Sequence, residues 1–112
     1  MADERVTAVL RSLERRYPCL EWEARATRLA PDVYDFFLRT PKSEMMISAK
    51  QGWPEVRLLF AHFDMPDVQI CELEALLASL LSGNYEVRSV GRLLKHRVLV
   101  VRGPQKEWWT TS

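Results

Sequence analysis

The sequence predicts a single α+β domain, in which a predominantly antiparallel sheet carries two helices on one face. Two separate segments place apolar residues at helical spacing, whereas the segments between and after them alternate or are rich in strand-forming residues. Proline and glycine clusters mark turns between these segments. The predicted order is α-β-β-β-β-α-β-β, with about five to six strands. The predicted domain spans residues 1–103, and residues 104–112 form a C-terminal tail after Gly103-Pro104.

The composition is that of an ordinary globular chain of 112 residues, with 47% hydrophobic and 28% charged residues. This length supports one core and is short for two. The formal net charge is only +1, so any charge-driven binding must be local. No apolar run approaches the roughly 18 residues that span a bilayer, and Met1-Ala2-Asp3-Glu4 does not resemble a secretory leader. We therefore expect a soluble, cytoplasmic protein with no membrane partner.

Two amphipathic patterns predict the helices. From Asp3 to Arg16, apolar residues recur at helical spacing until Pro18 ends the pattern. From Asp64 onward, a stripe of leucines predicts a second helix, for which Gly83 supplies the stop. The stripe consists of Ile70, Leu73, Leu76, Leu77, Leu80 and Leu81.

The remaining patterns predict strands. Residues from Leu20 to Thr27 alternate between apolar and polar, which indicates a strand with one buried face. After a predicted turn at Ala30-Pro31-Asp32, further strands are expected over residues 33–40, 45–50, 56–63, 85–90 and 94–102. The strand over residues 56–63 is apolar on both sides, which favours a central position in the sheet.

No pattern in the sequence predicts catalysis, so an enzyme is the less favoured interpretation. His62 and His96 have no neighbouring nucleophile or orienting carboxylate. Glu21 and Glu23 share one strand face and could form an acid–base pair, but Arg25 follows on the same face, and a solvated strand face of mixed sign is the favoured explanation.

No pattern predicts a metal or cofactor either. Cys19 and Cys71 are too few for a disulfide framework, and we expect two thiols that are buried or at the edge of the core. They form no close pair with each other or with a histidine, as zinc sites usually require. The four glycines are isolated, so no glycine-rich loop is present to bind a phosphate.

The charge is distributed unevenly along the chain. The region of the second helix carries Asp64, Asp67, Glu72 and Glu74 and no basic residue. Residues 85–112 contain six basic and two acidic residues, together with two tryptophans. A basic strip beside aromatic side chains is typical of single-strand nucleic-acid binding, which is the third functional hypothesis. The alternative is that the acidic helix neutralises the basic strands across the fold.

The leading hypothesis is a non-enzymatic protein-binding module, such as an adaptor, chaperone or inhibitor, that forms a homodimer. Two helices on one face leave the other face of the sheet uncovered, and a second subunit is the simplest cover for apolar side chains there. The expected outward-facing residues are Phe37, Leu59, Phe63, Leu99 and Val101. The expected partner-binding residues are Trp53, Trp108, Trp109, Phe37 and Phe63, because large aromatics in turns and tails often meet a partner.

The second hypothesis is a small-molecule-binding domain. A pocket between the helices and the aromatic strands would bind the ligand. Its lining candidates are Trp22, Tyr34, Phe36 and Phe60. A strongly curled sheet that buries both of its faces within a monomer would favour this interpretation over the dimer.

Overall fold

The computed structural model describes residues 3–27 and 30–111 and confirms the α+β class, with two helices and two antiparallel sheets. Residues 1, 2, 28, 29 and 112, which include part of the predicted N-terminal segment, the β1–β2 connection and the last tail residue, lie outside the described residues. In order, the elements are α1 (Glu4–Arg16), β1 (Glu21–Thr27), β2 (Ala30–Arg39), β3 (Glu44–Lys50), β4 (Glu55–Phe60), β5 (Phe63–Gln69), a 3₁₀ turn (Ile70–Glu72), α2 (Leu73–Leu81), β6 (Tyr85–Val90), β7 (His96–Arg102) and β8 (Glu107–Thr111).

Local sequence signals account for both ends of α1. The Asp3 carboxylate accepts a hydrogen bond of 3.0 Å from the backbone amide of Arg5, as an N-cap residue does. The helix ends at Arg16, two residues before Pro18, whose ring disfavours helical geometry in the residue that precedes it. Its buried side chains are Val6, Leu10 and Leu13, which follow the predicted apolar stripe.

The first sheet is a meander of β1 to β5 in sequence order. The prediction of one strand over residues 56–63 is wrong, because Ala61 and His62 form a tight turn between β4 and β5. Phe60 pairs with Phe63 across this turn. The residues expected as a turn at 30–32 belong to β2.

The second helix is shorter than predicted. The segment from Phe63 to Gln69 pairs with β4, so α2 begins only at Leu73, after the 3₁₀ turn. Asp64 therefore lies in a strand and does not cap the helix. The helix ends at Leu81, and Gly83 adopts the left-handed φ of 78° that suits a helix stop.

The second sheet contains β6, β7 and β8 in that order, so the described strands form two sheets where the sequence predicts one. The segment interpreted as a tail contributes β8, whose Trp108 pairs with Val101 of β7. A strand of five residues with two tryptophans has little local signal to separate it from an aromatic tail.

One buried cluster joins the elements. It contains the inward residues of the first sheet, the buried stripes of both helices, and Leu99 and Val101 from the second sheet. The arrangement of both helices on a single face stays a prediction. Neither described helix is both long and apolar enough to cross a membrane.

Candidate protein-binding surface

The face of the first sheet that points away from the buried cluster, here called the outer face, carries an exposed apolar row. Phe36 and Leu38 are buried on β2, so Phe37 between them points to the opposite face. The strand register places Phe37 beside Met46 of β3, and Met46 beside Leu59 of β4. Phe37 is 36% exposed, and Met46 and Leu59 are half-buried. We call this set, with Glu23 of β1 and Asp64 of β5 at its ends, the central row.

Charged residues border the central row on both sides. The register defines an upper row of Glu21, Arg39 and Glu44, and a lower row of Arg25, Asp35, Ser48 and Arg57. A depression of about 650 Å³ opens over this face. It is lined by the upper row, by most of the central row, and by Arg25 of the lower row. Apolar side chains in the middle with charges around them are typical of a surface that another protein covers.

Ion pairs hold many of these charges in place. Arg25 pairs with Glu23 at 2.7 Å, and its guanidinium lies 5.1 Å from the centre of the Phe37 ring. Arg57 donates to Asp64 at 2.9 Å from Nε, and this hydrogen bond lowers the pKa of the Asp64 carboxyl and raises the pKa of Arg57. Such exposed pairs contribute little to stability, so they serve mainly to orient charge on this face.

Asp35 lies in the middle of the lower row and is held by two neighbours. It accepts hydrogen bonds from the Ser48 hydroxyl at 2.6 Å and from the Thr27 hydroxyl at 3.3 Å. By contrast, the Arg39 guanidinium lies 4.0 Å from the Glu21 carboxylate, and both side chains are more than 60% exposed. A fixed carboxylate and a loosely held guanidinium therefore lie on opposite sides of Phe37.

Three of the five residues expected to face outward are instead in the core. Phe63 is 4% exposed, and Leu99 and Val101 are fully buried. Phe63 shares the inner face with Phe60 because the two residues pair across the hairpin turn. Phe37 and Leu59 are the two that lie on the outer face.

The three tryptophans expected to bind a partner lie away from the outer face and do not form one site. Trp53 is 53% exposed in its turn, where the Lys50 ammonium lies 4.7 Å from its ring centre. Trp108 packs against the core and donates from Nε1 to Glu72 at 3.2 Å. Trp109, the next residue, is 57% exposed.

The residues expected to line a small-molecule pocket form part of the core packing. Phe36 and Phe60 are buried, so they have no free surface for a ligand. Trp22 and Tyr34 are half-buried against the same cluster, and the Trp22 indole donates to Glu14 at 3.0 Å. A separate depression of about 370 Å³ lies where Tyr17 meets the end of α2, but none of the four predicted residues lines it.

Half of the six basic residues in the C-terminal region form ion pairs in the structure. Arg88 and Arg102 both pair with Glu86, and Lys106 pairs with Glu72 at 2.9 Å. Hydrogen bonds from Lys106 and Trp108 lower the pKa of Glu72. The pairing between Lys106 and Glu72 links the residue just before β8 to the 3₁₀ turn before α2.

The histidines and cysteines considered in the sequence lie on the surface. His62 and His96 are exposed at opposite hairpins, and Cys19 and Cys71 are exposed free thiols, contrary to their expected burial. Across residues 3–27 and 30–111, no cluster of three metal-ligating side chains occurs. No family model, curated protein or solved structure matches this chain.

Sequence reasoning missed Met46, Asp35 and Arg39 as members of this surface. A signal for them exists, because they alternate with the buried residues of β2 and β3 in the period of two that strands follow. Phe36 and Phe37 are adjacent aromatics, however, and either could have been the inward one. Only the strand register decides between them.

Proposed function

We propose that this protein is a non-enzymatic protein-binding module whose binding surface is the outer face of the first sheet. The observation that carries the proposal is the row of Phe37, Met46 and Leu59, which crosses three neighbouring strands and is left partly open to solvent. Burial of such a side chain by a partner is favourable by about 25 cal/mol per Å² of apolar area removed from water.

The shape and charge of the outer face favour a protein over the other ligand classes. Small-molecule sites are usually concave pockets that bury most of the ligand, whereas the depression here is broad and open. The outer face carries five acidic residues and three basic ones, a net charge of −2, which disfavours a phosphate backbone. The acidic residues are Glu21, Glu23, Asp35, Glu44 and Asp64, and the basic residues are Arg25, Arg39 and Arg57.

Site-specific photo-crosslinking tests the proposal. A benzophenone amino acid replaces Phe37 in the cells that make the protein, and a matched variant carries it at Val87, which is also exposed (45%) but lies on the second sheet. We expect the probe at position 37 to give a discrete protein–protein adduct and the probe at position 87 to give none. No adduct from position 37, or equal adducts from both positions, would overturn the proposal.

A second variant links the adduct to the apolar row itself. With the probe at Met46, Phe37→Ser should remove the adduct, because Phe37 lies beside Met46 in the register. The variant should keep its far-ultraviolet circular dichroism spectrum, since Phe37 is not part of the buried cluster.

A further inference from the structure

The charges on β1 and β2 are arranged so that this part of the outer face is complementary to itself. The upper row contains two glutamates and one arginine, and the lower row contains two arginines and one aspartate. The two rows therefore carry net charges of −1 and +1. They lie on either side of the central row, each two residues away along the strands, which is about 7 Å.

We propose that the partner is a second copy of this chain, bound face to face about a two-fold axis that runs along the central row. This inference rests on the proposed function and names its partner. Rotation by 180° about that axis places the central row on itself and the upper row of one copy on the lower row of the other. Phe37, Met46 and Leu59 then cover their own counterparts, so both copies bury the same apolar surface.

Opposite charges meet on two of the strands under this rotation. On β1, Glu21 meets Arg25 of the second copy, and on β2, Arg39 meets Asp35 of the second copy. On β3, Glu44 lies over Ser48, whose hydroxyl already donates to Asp35 at 2.6 Å, so no charge is matched there. Each contact is repeated by symmetry, so the interface gains two of each.

Like charges meet at the ends of the central row, where Arg25 and Arg57 of the lower row lie beside them. Arg25 is then shared between Glu23 of its own copy and Glu21 of the second copy. Glu23 would lie near its own counterpart, but Arg25 holds it in an ion pair at 2.7 Å. Asp64 is likewise held by Arg57. These ends lie at the rim of the interface, where water remains and a charge costs little.

The other face-to-face axis, which runs along β3, gives a poorer match. It places Glu44 on Glu44 of the second copy and Glu23 on Asp64, so like charges meet at both positions. It does bring Asp35 opposite Arg57, but this arginine is already held by Asp64. It also places Arg39 over Ala61 and leaves this guanidinium without a partner. Like charges placed against each other across an interface disfavour that arrangement, so the first axis is preferred.

Charge reversal on β2 tests both the partner and the axis. Asp35 and Arg39 are suitable positions because packed sheets cross at about 30°. This crossing displaces contacts near the middle of the interface less than contacts at its edges. Asp35→Arg and Arg39→Asp each create two like-charge contacts in a homodimer. We expect each variant to weaken self-association by about tenfold or more, measured by sedimentation equilibrium at low salt.

Restoration of binding is the decisive outcome. An equimolar mixture of the two variants regains both opposite-charge contacts, so a heterodimer should form near the wild-type affinity. The double variant Asp35→Arg/Arg39→Asp should form a homodimer again. If the single variants weaken association and neither combination restores it, the proposed axis is wrong.

The remaining outcomes separate this inference from the proposed function. A monomeric wild-type protein whose position 37 crosslinks to a different protein overturns the self-pairing and leaves the binding surface in place. A monomer without any adduct overturns both. If Asp35→Arg fails to fold because Ser48 and Thr27 lose their acceptor, Glu21→Arg and Arg25→Glu on the exposed strand β1 provide the same mixing test.

Discussion

At the residue scale, the turn between β4 and β5 depends on an unusual backbone conformation. Ala61 has a φ of 53°, in the left-handed region that glycine adopts without steric cost. The left-handed conformation costs a residue with a Cβ atom roughly 1–2 kcal/mol. The chain accepts this conformation because the hairpin brings Phe60 and Phe63 together on the inner face of the sheet.

Ala61→Gly should therefore stabilise the protein, by up to about 1 kcal/mol once the greater freedom of glycine in the unfolded chain is included. Denaturant unfolding measures the change. A matched variant, Ala24→Gly on the exposed strand β1, should instead lower the free energy of unfolding, because a strand gains nothing from a left-handed conformation. Destabilisation of both variants by the same amount would contradict this account.

Asp3 is one of the residues that link the stability of the fold to pH. A hydrogen bond from the Arg5 side chain lowers the pKa of Asp3 below its usual value of about 3.9. A carboxyl whose pKa is lower in the folded state stabilises the fold above its unfolded pKa, and that stabilisation is lost as the pH falls through the folded pKa.

Asp3→Asn keeps a side-chain acceptor at the start of α1 but cannot titrate. Between about pH 6 and about pH 2, we expect wild-type stability to fall further than that of Asp3→Asn, because only the wild type loses the Asp3 contribution. Thermal unfolding of both proteins across this range measures the difference. Parallel pH profiles would show that Asp3 does not contribute through its charge.

At the scale of the element, α2 is held by its buried leucine stripe. Leu77 is fully buried, so Leu77→Ala should lower the free energy of unfolding by about 2–5 kcal/mol. Leu94→Ala is the matched control, since Leu94 is 78% exposed and should cost less than about 0.5 kcal/mol. A loss below about 1 kcal/mol for Leu77→Ala would mean that the stripe is not in the core.

Strand β8 offers a comparison of two adjacent tryptophans. Trp108 packs on the core and Trp109 points to the other side of the sheet. Trp108→Ala should cost about 3 kcal/mol, whereas Trp109→Ala should cost about 1 kcal/mol or less. Equal and small costs would indicate that the segment behaves as the tail that the sequence suggests, and would argue against a packed strand.

At the scale of the whole molecule, the two sheets share one buried cluster. Leu99 and Val101 of the second sheet belong to the same cluster as Phe36 and Ile47 of the first sheet. The whole chain is therefore expected to unfold as one cooperative unit.

Two variants that each keep one tryptophan test this cooperativity. Trp22 reports on the first sheet and Trp108 on the second. In each variant, the tryptophan fluorescence should change at the same denaturant concentration as the circular dichroism signal of that same variant, at a fixed protein concentration. Circular dichroism of each variant provides the reference transition. Two separate midpoints would divide the chain into two units.

The sequence alone determined the elements that local forces specify. Helix α1 is explained by its N-cap, its apolar stripe and the proline that ends it. Strand β6 has the bounds that the sequence predicts, residues 85–90. The sequence also singled out Phe37 and Leu59 as candidates for an outward face, although the strand register was needed to decide between Phe37 and Phe36. Helix α1 and strand β6 depend on residues that lie close together in the chain.

The tertiary structure decided the features that depend on which strands pair. The turn at Ala61 and His62 reverses the chain, so Phe63 lies on the same face as Phe60. In one continuous strand, Phe63 would have shared the outward face of Leu59. Pairing with β4 likewise kept residues 63–69 out of the helix, and pairing with β7 made a strand of the tail. The charge rows of the outer face exist only once five strands have fixed their register, because that register alone places Arg39 and Asp35 on opposite sides of Phe37.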